Sequence, residues 1–289
     1  MNKRITTLIL TGAVLVAGVF ATFGGSNAAV ADEPTARSAA LPPPPPPPPP
    51  AGGPTGPQTG SFRIDCAPTK VAAVDPIVMP GHTGMSHMHQ FFGNRGVNEN
   101  STAASLRAAP ATSCKNLADS SAYWVPTLMS NGVAVNPINL EVIYRKSVTA
   151  PIVAHPAGLM LIAGSSKATE AQSTSIISWS CTGTNTPGTA APTVCKNRQQ
   201  LVASIRYPEC WNGVDLDSAD HKSHVSYASN GVCAAGTVAL PQIEMRVIYP
   251  RIADVSALTL ASGSIYSMHA DFFNGWDQRR FAGMVARLN

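Results

Sequence analysis

Two long stretches of the chain alternate hydrophobic and polar positions with period two, the signature of a strand that buries one face. In residues 138–144, Leu140, Val142 and Tyr144 point one way while Asn139 and Glu141 point the other. Residues 243–249 repeat the pattern, with Ile243, Met245, Val247 and Tyr249 set against Glu244 and Arg246. Shorter strand-like runs cover residues 122–128, 176–180, 201–207 and 265–272, separated by segments rich in Gly, Pro, Asn and Ser. Helical spacing appears only late. Phe281, Met284, Val285 and Leu288 form an i, i+3, i+4, i+7 stripe behind Asp277, an acid suited to the first turn. A second, short helix is expected near residues 101–109. The pattern therefore predicts a mainly β protein, a disulfide-stapled, loop-rich β-sandwich with a C-terminal helix and no internal repeat.

Composition divides the 289 residues into three parts. Lys3 and Arg4 precede an uncharged apolar run over 5–21, and Ala29-Val30-Ala31 closes the segment. This is the pattern of a secretory signal peptide over 1–31, cut after Ala31 or Ala28. The run is at the short edge of spanning length, so membrane contact is expected only through the leader if it stays attached. Residues 32–60 contain nine consecutive prolines, Pro42 to Pro50. Each fixes φ and lacks an N–H, so the run should be a polyproline II rod of roughly 28 Å, a spacer between the domain and a surface. Residues 61–289 remain as one expected domain, long enough for a substantial core. A hydrophobic fraction of 44% with 12% charged residues excludes a disordered or coiled-coil chain. The formal charge of +4 includes Lys3 and Arg4 of the leader, and Arg251 and the pair Arg279-Arg280 are too sparse for a basic nucleic-acid face. No nucleic-acid partner is expected.

All six cysteines, Cys66, Cys114, Cys181, Cys195, Cys210 and Cys233, follow the spacer, and the leader sends them to an oxidising compartment. They are expected to form disulfides, with nearest neighbours pairing as 66–114, 181–195 and 210–233. No Cys-x-x-Cys pair offers a thiolate zinc site or a redox motif.

All seven histidines lie after the spacer, and six fall in three short clusters, the first running from His82 to His89. His87 and His89 flank one residue, and in an extended segment i and i+2 share a face, about 6 to 7 Å apart at the backbone. Asp217, Asp220, His221 and His224 crowd a polar segment, and His269 and Asp271 share a strand face. His155 stands apart and is assigned a packing role. Three uses are open to these clusters. His87, His89, His224 and His269 could ligate zinc or copper, ions that accept imidazole with carboxylate. His87, His89, His221, His224 and His269 with Asp220 and Asp271 could instead do acid/base chemistry without a metal. Or the groups could hold loop backbone.

Four ordered motifs carry a family resemblance. They are Asp75-Pro76-Ile77-Val78 with Pro80-Gly81; Ser86-His87-Met88-His89 with Phe92-Gly93-Asn94; Cys210-Trp211-Asn212-Gly213 through Leu216 to Tyr227; and His269-Ala270-Asp271-Phe272 with Asn274-Gly275-Trp276-Asp277. Together they resemble the family called domain of unknown function nineteen-ninety-six, found in secreted bacterial and fungal proteins, over about residues 62–288. The resemblance implies an extracellular domain sharing His87, His89, Asp217, Asp220, His221, His224, His269 and Asp271, and implies no settled activity. Asn212 stands where many members carry an acidic residue, and Ala219 where they carry proline.

Trp211 and Trp276 each adjoin a histidine/aspartate cluster, and an indole pairs a flat apolar face with one N–H donor, a combination that suits sugar rings. With Asp217 they are the candidate ligand contacts. There is no G-x-S-x-G elbow, P-loop, strand-following G-x-G-x-x-G or H-E-x-x-H helix, which argues against common serine hydrolases, nucleotide enzymes and zincins. Two functions follow. One is a secreted or cell-envelope protein acting on extracellular or cell-wall polysaccharide through the His/Asp clusters, with or without a metal. The other is a non-catalytic wall- or carbohydrate-binding module whose clusters hold loops.

Overall fold

The computed structural model of the protein describes residues 60–184 and 188–289. The expected leader, and the expected spacer apart from Gly60, lie outside the described residues. Two five-stranded antiparallel sheets carry the fold. Their strands are β1 (Ser61–Cys66), β2 (Pro68–Ala72), β3 (His89–Gly93), β4 (Ala122–Pro126), β5 (Asn139–Arg145), β6 (Met160–Gly164), β7 (Ile177–Cys181), β8 (Leu201–Arg206), β9 (Gln242–Tyr249) and β10 (His269–Phe273). The first sheet runs β1-β5-β9-β8-β7 and the second β2-β3-β4-β10-β6. Two small three-stranded sheets, one built on Cys210–Trp211 and one on Leu128–Ser130, complete the β structure.

Period two decides which side chains meet. Leu140, Val142 and Tyr144 of β5 and Ile243, Met245, Val247 and Tyr249 of β9 are all fully buried. They share one core cluster with Phe92, Tyr123, Val125, Leu161, Ala270 and Phe272 of the second sheet, so the two sheets form a sandwich. On the outer face of the first sheet the alternate residues form two cross-strand Arg–Glu–Arg ladders. Arg63 and Arg246 hold Glu141 at 2.9 and 2.6 Å, and Arg145 and Arg206 hold Glu244.

The second sheet is buried on both faces. Phe91, Trp124 and Phe273 point away from the sandwich core into a separate cluster with Val74, Ile77, Val97 and Leu106. That cover comes from the segments before and after β3, residues 73–88 and 94–101, and from the short helix α1 (Ala103–Ala108), whose Thr102 and Ser105 form a reciprocal cap. At the chain end α2 (Gln278–Ala286) starts at Asp277, whose side chain accepts from the Arg280 N–H, and buries Phe281 and Val285 in the main core. The three disulfides join Cys66 to Cys114, Cys181 to Cys195 and Cys210 to Cys233.

Two expected strands differ in detail. The run 122–128 divides at Thr127, with β4 in the large sheet and Leu128–Ser130 in a small one. The run 265–272 begins with a 3-10 turn, Ile265–Ser267, before β10. Ser267 closes that turn by donating to the Ser264 carbonyl and to no strand, so β10 begins only at His269.

Candidate functional site

The outer face of the second sheet brings two of the histidine clusters together. His89 opens β3 opposite Pro126 of β4, and Asp271 lies opposite Trp124 on the other side of that strand. One two-residue step back along β10 brings His269 level with Pro126. Two imidazoles thus flank a residue with no side chain long enough to part them, and their centroids are 5.8 Å apart. His87, just before β3, closes the triangle at 4.2 Å from His89 and 5.0 Å from His269. One ligand nitrogen from each ring lies within 4.8 Å of the others.

Backbone carbonyls set the tautomers. A carbonyl only accepts, so His89 Nδ1 carries the proton it donates to Val74 O at 2.9 Å, and His269 Nδ1 the proton it donates to Ser267 O at 2.8 Å. In each neutral ring Nε2 is left as a lone pair. His89 Nε2 is buried with no hydrogen-bond partner, as is His87 Nε2. His269 Nε2 faces Asp271 Oδ2 at 3.9 Å, and that oxygen too is buried without a partner. A backbone carbonyl that accepts from Nδ1–H is a common way for a protein to orient a metal-binding histidine.

Burial dominates the electrostatics. It holds the His87 pKa below the ordinary value, pushes His89 far down with help from the neighbouring His87 and His269, and brings His269 to about 4. All three rings are therefore held in the neutral form that ligates metals. Burial, then the Asp75 charge, raises the Asp271 carboxyl well above the usual carboxylate range, while Lys222 opposes. Asp75 accepts the N–H groups of Ile77 and Val78 at 3.0 Å each, which folds the turn behind Val74 and so aims the carbonyl that holds His89.

The third cluster stands at the rim. Asp217 holds His221 Nδ1 through both carboxylate oxygens at 3.0 and 2.9 Å, and His221 adopts a left-handed φ of 58°. His221 lies close enough to Asp75 to favour its charged form. Lys222 follows, donating to Gly164 O at 2.5 Å, and Gly164 pairs with His269 in the sheet.

Several expected site residues are placed elsewhere. His224 is outside the imidazole group, its Nε2 donating to Met160 O at 2.8 Å and its Nδ1 lying 2.9 Å from Ser218 Oγ. Asp220 spends Oδ1 on the Lys222 and Ser223 N–H groups and the Ser218 and Ser223 hydroxyls, bonds that hold its pKa low and fold the loop. Trp276 is fully buried, stacked on Phe281 at 4.9 Å, with its N–H on Tyr144 Oη. Trp211 is nearly so and donates to Asp215 O. Neither indole offers a face to a sugar. His155 is a core ring stacked on Phe281, as its isolation suggests. Asp75 and Lys222 enter the site without having been singled out for chemistry, since nothing in their sequence context reveals that the fold brings them to His269 and Asp271. Cys66, Cys114 and Asp119 also converge, but the two sulfurs are joined in a disulfide and offer no thiolate.

The motifs that build this geometry lie inside a family match. Residues 75–276 match the model of the family described as Domain of unknown function (DUF1996). The chain belongs to this family. The DUF1996 match takes in both the imidazole group and the Asp217–His221 pair. No curated protein and no solved structure matches the chain.

Proposed function

We propose that this DUF1996 domain is an extracytoplasmic metal-binding module that uses His87, His89 and His269, with Asp271, to hold zinc or copper and act on extracellular polysaccharide. One observation carries the reading: ligand nitrogens of His87, His89 and His269 converge from separate elements, those of His87 and His89 buried without partners, and the partnerless buried Asp271 Oδ2 stands 3.9 Å from His269 Nε2. Leaving a buried polar atom unpaired costs about 1–3 kcal/mol, so several together call for a group that satisfies them all. Three neutral imidazoles with one carboxylate suit zinc or copper. Such an ion polarises a bound oxygen or lowers the pKa of a bound water. Asp217 and His221 at the rim are the groups to move a proton, with Asp217 fixing the tautomer that leaves His221 Nε2 for the substrate side. Three disulfides fit an oxidising compartment, and among the described residues no helix is long and apolar enough to cross a membrane. The polysaccharide rests on the secretory leader and stiff spacer; the buried tryptophans lend it nothing.

The depth of His89 and His269 favours a second reading, in which the ion is structural and closes the loop over the sheet in a non-catalytic wall-binding module. Elemental analysis of the secreted full chain tests the metal. Near-stoichiometric zinc or copper, lost in His87→Ala/His89→Ala, is expected, and a metal-free protein that takes up neither ion overturns both readings. His221→Ala then separates them. A catalytic site loses turnover on polysaccharide while keeping its metal, whereas a structural site shows no turnover to lose.

A further inference from the structure

Away from the imidazole group, a groove of about 690 Å³ lies between α2 and residues 116–118. It begins beyond the far end of β10, a strand whose length alone sets it about 13 Å from His269. Arg280, Gly283, Met284 and Arg287 recur at i, i+3, i+4, i+7 and turn one face of α2 to the groove, beside the face that buries Phe281 and Val285. Arg279 lines it too. The loop side is fixed, because Asp277 N–H donates to Ala118 O at 2.8 Å and Asn116 Nδ2 reaches Met284 Sδ at 3.6 Å.

The charges here are unbalanced. The arginines of the first sheet are each paired with Glu141 or Glu244, but among the described residues Arg279, Arg280 and Arg287 have no carboxylate within ion-pair distance. The acid that lines the groove, Asp277, is engaged in capping the Arg280 N–H at 2.9 Å. Three exposed guanidiniums, each a planar fork, are spread over two turns of one helix. They match repeating carboxylates or phosphates better than a single small anion. No aromatic side chain lines the groove to stack a base. The apolar face of α2 is committed to the core and cannot enter a bilayer.

We propose that this groove binds a strand of acidic extracellular polymer, through its repeated anionic groups, as an anchoring surface separate from the imidazole site. The proposal does not depend on the metal. Affinity electrophoresis of the full chain through polygalacturonate, through poly(glycerol phosphate), and through fully methyl-esterified polygalacturonate tests it, the first two arms separating carboxylate from phosphate. Retention by at least one charged polymer, at least tenfold weaker in Arg279→Gln/Arg280→Gln/Arg287→Gln and absent with the ester, is expected, with the melting temperature and metal content of the variant unchanged. Equal retention of the variant, equal retention by the neutral ester, or binding to phosphatidylglycerol vesicles in place of the polymers overturns it.

Discussion

At the scale of single residues, the buried ionisable groups make predictions of opposite sign. Asp271 is a buried carboxyl whose Oδ2 has no hydrogen-bond partner. Asp271→Asn removes the negative charge the site can offer a cation beside His269, and should weaken zinc affinity about 10–100-fold in isothermal titration. His155 sits among Tyr144, Phe272 and Phe281, with its pKa pushed down to about 3 by burial. Below the ordinary value of 6.5 the unfolded chain takes a proton that the native ring refuses, so stability is lost as pH falls from 6.5 towards 3. His155→Phe should remove about 1.4 kcal/mol per pH unit from the slope of unfolding free energy across that window, read by denaturant melts. Asp119 works the other way. Burial raises its carboxyl to about 7, although Tyr123 and Ser121 donate to it, so the native state keeps a proton the unfolded chain has released, and stability falls as pH rises from about 4 to 7. Asp119→Asn should flatten that decline.

At the scale of elements, two glycines with the same φ of 77° separate strain from packing. Gly132 follows Asn131 in the two-residue hairpin turn between Leu128–Ser130 and Val133–Ala134, and a Cβ there would meet nothing within 4 Å. Gly93 ends β3, and a Cβ there would come within 2.2 Å of Ser121 O. Gly132→Ala should cost only the conformational strain, about 1 kcal/mol, whereas Gly93→Ala should cost about 3 kcal/mol or more, because the neighbouring β4 lead-in must move as well. Thermal unfolding of the two variants checks the difference. The Asn-Gly turn is legible in the chain. The need for glycine at position 93 is not, because it comes from a backbone 28 residues further on.

At the scale of the whole molecule, the imidazole group ties the cover of the second sheet to the sheet itself, since His87 precedes β3 and His269 opens β10, 182 residues later. An ion bound there should act as a long-range staple. Zinc at 100 times its dissociation constant should raise unfolding free energy by about 2.7 kcal/mol, and His87→Ala/His89→Ala should abolish the rise, as melts with and without chelator would read.

The alternating runs determine the two central strands of the first sheet and their buried faces, because period two alone dictates which residues point inward. Asp277 with the stripe behind it likewise marks α2, and spacing brings His87 to His89 and His269 to Asp271. Those are local properties, fixed by backbone geometry within a few residues. Only the tertiary structure decides that β3 and β10 flank β4, which joins the two pairs and leaves His224 to the Met160 carbonyl. It also decides that Trp211 and Trp276, beside polar clusters in the chain, face the core. Strand order and the path of the loops rest on contacts between residues far apart in sequence, and no local periodicity encodes them.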